Sequence, residues 1–318
     1  MLSYFSSLSL ASLFRAFPGS IAQGMIWGIM ALGVFITFRL LDFADLTVDG
    51  SLAFGAAVTV MLIRAGVSPV LATIVAFFAG ALAGMITGLL TTGLGIPGIL
   101  SSILTQISLY SINLNVMGKA NQPVSVDNYP LVVSLRYVTG SASSEIIFFV
   151  GMIVFLLVLV ACLYWFFGTE LGHSVRATGC NGNMARAQGI NTDFIKVLTL
   201  MISNGLVGFC GALYGQFQGA ADVNMGRGAI VIGLAAVIIG EVVGGAILGK
   251  HLNFYGTLSF TVVGGIVYYL VIVVVLWLKL NSNDLKLFTA IVVALFLAVP
   301  YLRGQKKSSF AKLKRKGV

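Results

Sequence analysis

The sequence predicts an all-α fold, a polytopic membrane helical bundle of about nine transmembrane helices, and three observations predict it. Of 318 residues, 58% are hydrophobic and only 9% are charged, whereas soluble domains are about a quarter charged. The apolar residues fall in successive runs of about 20, the length a helix needs to cross about 30 Å of hydrocarbon. Glycine is abundant, at 38 residues, and within several runs it recurs at every fourth position. Small residues at that spacing let helix backbones approach closely where no hydrophobic drive separates helix from lipid.

Taken in order, residues 1–17 read as an N-terminal interfacial lead-in, because they lack the basic start and small-residue cleavage site of a secretory signal peptide. Spans are expected at about 18–38, 48–65, 69–94, 98–117, 146–167, 195–216, 229–249, 256–278 and 285–302. The second has the shortest apolar run, since Asp45 and Asp49 interrupt its start, and a broken or re-entrant segment is the alternative there. Gly80, Gly84 and Gly88 mark the third span, Gly211, Gly215 and Gly219 the sixth, and Gly240, Gly244, Gly245 and Gly249 the seventh. The membrane domain is thus 18–302, followed by a basic tail at 303–318.

The tail sets the orientation. Arg303, Lys306, Lys307, Lys312, Lys314, Arg315 and Lys316 form a run expected on the cytoplasmic side of the cell membrane. Counting back four spans puts the polar island 168–193 in the cytoplasm too, and five more put the N-terminus outside. The formal net charge of +9 therefore reports membrane topology rather than a nucleic-acid partner. Cys162, Cys180 and Cys210 show no metal or disulfide spacing, and His173 and His251 stand singly in loops. No metalloprotease, nucleophile-elbow or phosphate-loop pattern occurs. The chain is expected to be no enzyme and to hold no metal.

The fourth span differs in kind. Residues 98–118 carry Ser101, Ser102, Thr105, Gln106, Ser108, Ser111, Asn113 and Asn115 at membrane depth. At about 100° per residue, Ser101, Thr105, Ser108 and Asn115 share one stripe, with Ser102, Gln106 and Asn113 on its flank. Amides are costly against lipid tails, so this face should point into the bundle. It serves either interhelical hydrogen bonds or the wall of a solute path. Neither stripe carries a formal charge, which suits a neutral or zwitterionic solute.

The island GTELGHSVRATGCNGNMARAQGINTD at 168–193 is longer than a connector requires. Asn181 can cap a short helix, Gly189 can end it in a left-handed conformation, and Thr192 or Asp193 can cap the next span. A helix held at both ends between two spans is a lever that moves them when gripped.

Here the residues carry a resemblance. Gly172, Arg176, Ala177, Gly179, Asn181, Ala185, Gly189 and Ile190, followed by Asn191, Thr192 and a span, resemble the cytoplasmic coupling segment of ABC importer permeases of the branched-chain amino acid and ribose type. LDFADLTVDGS at 41–51 resembles that family's short acidic element, and AAVIIG at 235–240 with Gly244 and Gly245 its glycine-rich late segment. The tract 95–121 is most similar to a subgroup linked to aromatic amino acids. The resemblance spans about 18–302 and implies a permease domain with a coupling loop. On their uncharged polar face, Ser101, Ser102, Thr105, Gln106, Ser108, Asn113 and Asn115 are the residues expected to border the solute path if the face lines one. The resemblance also implies a homodimer in the membrane, a separate cytoplasmic ABC ATPase subunit that binds the ATP, so that no cofactor is needed here, and an extracytoplasmic solute-binding protein. A secondary transporter driven by an ion gradient is the competing class. Such carriers place ionisable groups near midplane, where Glu241 is the main acid in this chain.

Overall fold

The computed structural model describes residues 10–129, 131–139, 142–249 and 253–277, with single helical positions at 287, 290, 291, 294 and 298. Among the described residues, eight helices are long and apolar enough to cross a membrane. Most of the ninth expected span falls outside them, and the whole basic tail does.

Helix α1, Leu10–Phe35, runs into a π-helical turn, Ile36–Leu40. Helix α2 is Thr47–Arg64, α3 Pro69–Thr92 and α4 Gly98–Met117. A strand β1, Asn121–Pro123, and a short helix α5, Leu135–Thr139, lead to α6, Ala142–Phe167. Two short helices follow, α7 at Glu170–Cys180 and α8 at Gly182–Ala187. Helix α9 is Thr192–Gln218, β2 Ala220–Asp222, α10 Ala229–Ile247 and α11 Phe254–Trp277. The second span is one unbroken helix. Asp45 and Asp49 do not interrupt it, because both carboxylates find internal donors.

Helix α9 is the hub, packed on α1, α2 and α3, while α11 packs on α1 and α10. It runs antiparallel to α1, with the Ser203 hydroxyl donating to the Gly33 carbonyl at 2.8 Å. Glycine makes this centre possible. A Cβ at Gly84 would overlap the Leu200 carbonyl oxygen, one at Gly80 that of Asn204, and one at Gly211 that of Leu52. Helix α6 sits at the periphery and turns Ile146, Ile147, Val150 and Val154 outward, as a lipid-facing helix should.

The two ends of the bundle differ. One carries an antiparallel hairpin that pairs Asn121 with Asp222 and Pro123 with Ala220, tied to the end of α2 by an Arg64 to Gln122 hydrogen bond. At that end the Asp127 carboxyl, bonded to Arg136, is held below its ordinary range. The other end carries α7 and α8.

Candidate coupling and translocation site

At the α7–α8 end, each turn has a local cause. Thr169 opens α7, its hydroxyl oxygen accepting the Gly172 N–H at 3.4 Å. Gly172 then lies against the Phe166 and Phe167 backbone with no room for a Cβ. The sequence suggests one short helix here; the structure has two. Asn181 is extended, at φ −160° and ψ 96°, and both ends α7 and starts α8, its Oδ1 accepting the Met184 N–H at 3.0 Å. An asparagine that bonds its own downstream backbone competes with helix continuation, and Gly182 after it offers little resistance. Gly189, at φ 85°, closes α8, and the Ile190 N–H returns to the Ala185 carbonyl at 3.1 Å. The cap of α9 is Asn191, which accepts the Phe194 N–H at 3.1 Å, rather than Thr192 or Asp193.

This pair of helices is fastened to three parts of the bundle. Gly179 abuts the Leu40 carbonyl at the end of the π-turn so closely that no Cβ fits. The Arg176 guanidinium lies 4.0 Å from the centre of the Phe254 ring, at the start of α11. Arg186 donates to Thr192 Oγ1 at 2.8 Å and Asp193 Oδ1 at 3.0 Å, at the start of α9. Ala177 is half-buried and Ala185 only 3% exposed, whereas Met184 is 62% exposed. The packed face of the pair thus grips the bundle and Met184 points away from it.

On α4 the seven polar residues separate. Ser101, Ser102, Thr105 and Asn113 are buried, Gln106 is half-buried, and Ser108 and Asn115 are exposed. A ladder of hydroxyls crosses three helices. Thr47 and Thr87 meet at 2.7 Å, Thr87 donates to Thr105 at 2.9 Å, and Thr91 meets Ser101 at 2.6 Å. Ser102 bonds back to the Ile99 carbonyl. The exposed Ser108 and Asn115 bond the Leu104 and Ser111 carbonyls of their own helix. Gln106 and Asn113 open onto a cavity of about 310 Å³.

Two carboxylates hold the irregular segments around this region. Asp45, 2% exposed, accepts the Thr47 N–H at 2.9 Å and the Asn204 amide at 2.6 Å, and Asn204 in turn accepts from Ser51 at 2.7 Å. Asp49 accepts the N–H groups of Gly228 and Ile230, both at 2.9 Å, and so caps α10. The Asp45 turn has a local signal, an acid two residues before Thr47. Nothing near Asp49 in the sequence announces a partner 179 residues away. Glu241 lies within α10 and pairs through both oxygens with Arg39, one contact being Nε to Oε1 at 2.7 Å.

A close-packed bundle of membrane-length helices, with two short helices fastened between its spans, is the architecture of a polytopic membrane protein. Residues 18–300 match the family described as "Branched-chain amino acid transport system / permease component", and the chain belongs to that family. It is a transmembrane permease subunit of the ATP-driven, ABC importer class. It is 40% identical over 291 residues to the tyrosine transport system permease protein of Clostridioides difficile (strain R20291), covering 92% of this chain and 93% of the relative. It is 32% identical over 282 residues to an uncharacterized protein of Rickettsia prowazekii (strain Madrid E), covering 88% and 95%. Against the D-allose transport system permease protein of Escherichia coli (strain K12) it is 30% identical over 247 residues, covering 73% and 72%. No solved structure matches the chain.

Proposed function

We propose that this permease forms half of a homodimer in the cell membrane that imports an amino acid, and that an aromatic one is its solute. A cytoplasmic ATPase subunit grips α7 and α8, and an extracytoplasmic binding protein delivers the solute to the hairpin end. ATP is bound by the ATPase, and this chain needs no cofactor. The basic tail and the α7–α8 end then face the cytoplasm, in keeping with the positive-inside bias.

The observation that carries this reading is the three-point fastening of the lever to Leu40, Phe254 and the Thr192–Asp193 pair. A displacement of α7 and α8 is transmitted to α1, α11 and α9 together, because packed elements shift between discrete arrangements rather than deform. The relative named for tyrosine supports the solute class. The uncharged exposed face of α4, with Ser108 and Asn115, supports a route shared with the second half, since amides facing lipid are costly. Ser101, Ser102 and Thr105 then act behind that face by fixing α4 to α2 and α3, while Gln106 and Asn113 border the route.

Met184→Glu tests the docking surface, because Met184 is exposed and its replacement leaves the packed face untouched. ATPase association and ATP-driven uptake should each fall about tenfold or more, the effect of burying a charge in the centre of an interface, with the amount of folded permease unchanged. Co-purification of the ATPase and proteoliposome uptake both at wild-type levels would remove the lever from the mechanism. Glu241→Gln addresses the energy source. The Arg39 pair is half-exposed, and exposed pairs contribute about 0–1 kcal/mol, so more than about half of the uptake should survive with ion gradients collapsed. Uptake that requires a proton or sodium gradient and vanishes in this variant would make Glu241 a coupling site.

A further inference from the structure

The cavity beside α4 contains two features that packing alone does not explain. Asn113 is 1% exposed, yet both its Nδ2 and its Oδ1 lack a hydrogen-bond partner among the described residues. A buried amide with neither bond made is destabilising by about 1–3 kcal/mol per unsatisfied group, and the chain would lower its free energy with an apolar side chain there. Arg227 borders the same cavity, and among the described residues its guanidinium makes no ion pair and no hydrogen bond. Its position is set by Asp49, which holds the Gly228 and Ile230 N–H groups. Asp49 sits in the first turn of α2, and Arg227 is itself exposed on the cavity side of that turn. A lone cation beside a membrane span faces a polar route rather than lipid.

The remaining wall completes a recognisable chemistry. Asp49 spends one lone pair of each oxygen on α10 and retains the others. Tyr110 offers a ring at the mouth, and Gln106 adds a second amide. Cation, anion, amide and aromatic ring thus line one cavity of about 310 Å³, at the lower end of the range for small-ligand pockets, about 300–1,000 Å³.

We propose that this cavity is a transit subsite for the zwitterionic head of an α-amino acid. Arg227 takes the carboxylate, Asp49 the ammonium, and the Asn113 amide a polar group of the solute that fills its vacant donor and acceptor. The proposal rests on the importer reading and adds to it: the permease inspects the solute's charges instead of offering only an inert passage. The subsite is weak by construction, because a route must release what it binds.

A cysteine reporter tests it in the assembled importer in lipid nanodiscs. Ile107, 62% exposed and on the cavity wall, is replaced by cysteine after Cys162 and Cys180 have been changed to serine. Labelling by a small, water-soluble methanethiosulfonate is followed with L-tyrosine, with tyramine, which lacks the carboxylate, and with D-allose. L-tyrosine should slow labelling at least about fivefold, tyramine and D-allose less than about twofold, and Arg227→Gln should abolish the protection. No protection by L-tyrosine or by a mixture of the proteinogenic amino acids, or equal protection by D-allose, would overturn the proposal. Asn113→Leu supplies an independent reading. It should raise the L-tyrosine concentration needed for protection about tenfold while the unfolding midpoint stays level or rises, since no native bond is removed. A midpoint lowered by several degrees would show that Asn113 is structural and overturn its role. Failure of the importer reading is recognised separately, as a wild-type assembly that accumulates no amino acid when ATP is supplied.

Discussion

Replacement of Gly84 by valine is expected to reduce the yield of folded permease to less than about a tenth of wild type, because adding bulk to a filled core is destabilising by about 1–3 kcal/mol even where side chains can yield. Here the obstacle is backbone. The first added carbon would overlap the Leu200 carbonyl oxygen, with Asn204 Cβ at 3.0 Å. Helix α3 can make room only by withdrawing from α9, and that loosens the neighbouring Gly80 contact and the Asn204 amide that holds Asp45 and Ser51. Gly245→Ala is the control, since nothing lies within 4 Å of a Cβ built there. Size-exclusion profiles of the solubilised variants should show a monodisperse peak for the control and aggregate for Gly84→Val. Equal peaks would mean that the α3–α9 seam is not the close contact described.

That pair of glycines also shows how much of the fold could be read from the sequence. Four-residue spacing correctly announced close helix packing, but it marked Gly84 and Gly245 alike. Only the partner helix separates them, and composition does not specify a partner. Span positions were legible because apolar run length is a local property matched to membrane thickness. The acidic segment was not. Asp45 and Asp49 look like interruptions until Asn204 and the α10 N–H groups are brought to them from far along the chain.

The fourth span exposes a specific weakness of helical-wheel reasoning. Spacing of seven groups Ser101, Ser108 and Asn115, the seam of a coiled coil. The buried line instead follows Ser101, Thr105, Leu109, Asn113 and Met117, the four-residue ridge along which obliquely crossing helices pack. The two lines begin at one residue and diverge, so Ser108 and Asn115 finish on the exposed side. In the island 168–193 the local signals at Asn181 and Gly189 did fix helix ends. What they left out was where the helix pair is fastened, because Leu40 and Phe254 lie on other helices.

Gly179→Val isolates that contact. The bundle core does not pass through Gly179, so the variant should fold and reach the membrane in normal amounts. The Cβ of a valine there would overlap the Leu40 carbonyl oxygen, with the Leu41 Cα at 3.0 Å, and α7 must lift from the end of α1. Lifting also draws Arg176 from the Phe254 ring, a cation–π contact contributing about 0.5–2 kcal/mol. The exposed side of α8 is unaltered, so the docking surface proposed for the ATPase is kept and ATP hydrolysis is expected to continue. A misfit of about 2 kcal/mol at this joint corresponds to about a thirtyfold loss in the fraction of strokes delivered to the bundle. In proteoliposomes, Gly179→Val should therefore hydrolyse ATP at near the wild-type rate while importing about thirtyfold less solute. Arg176→Ala removes only the ring contact and should lose about two- to thirtyfold. Solute imported per ATP equal to wild type in both variants would mean that the force enters elsewhere, and would leave Arg186 with Thr192 and Asp193 as the remaining joint between the lever and the spans.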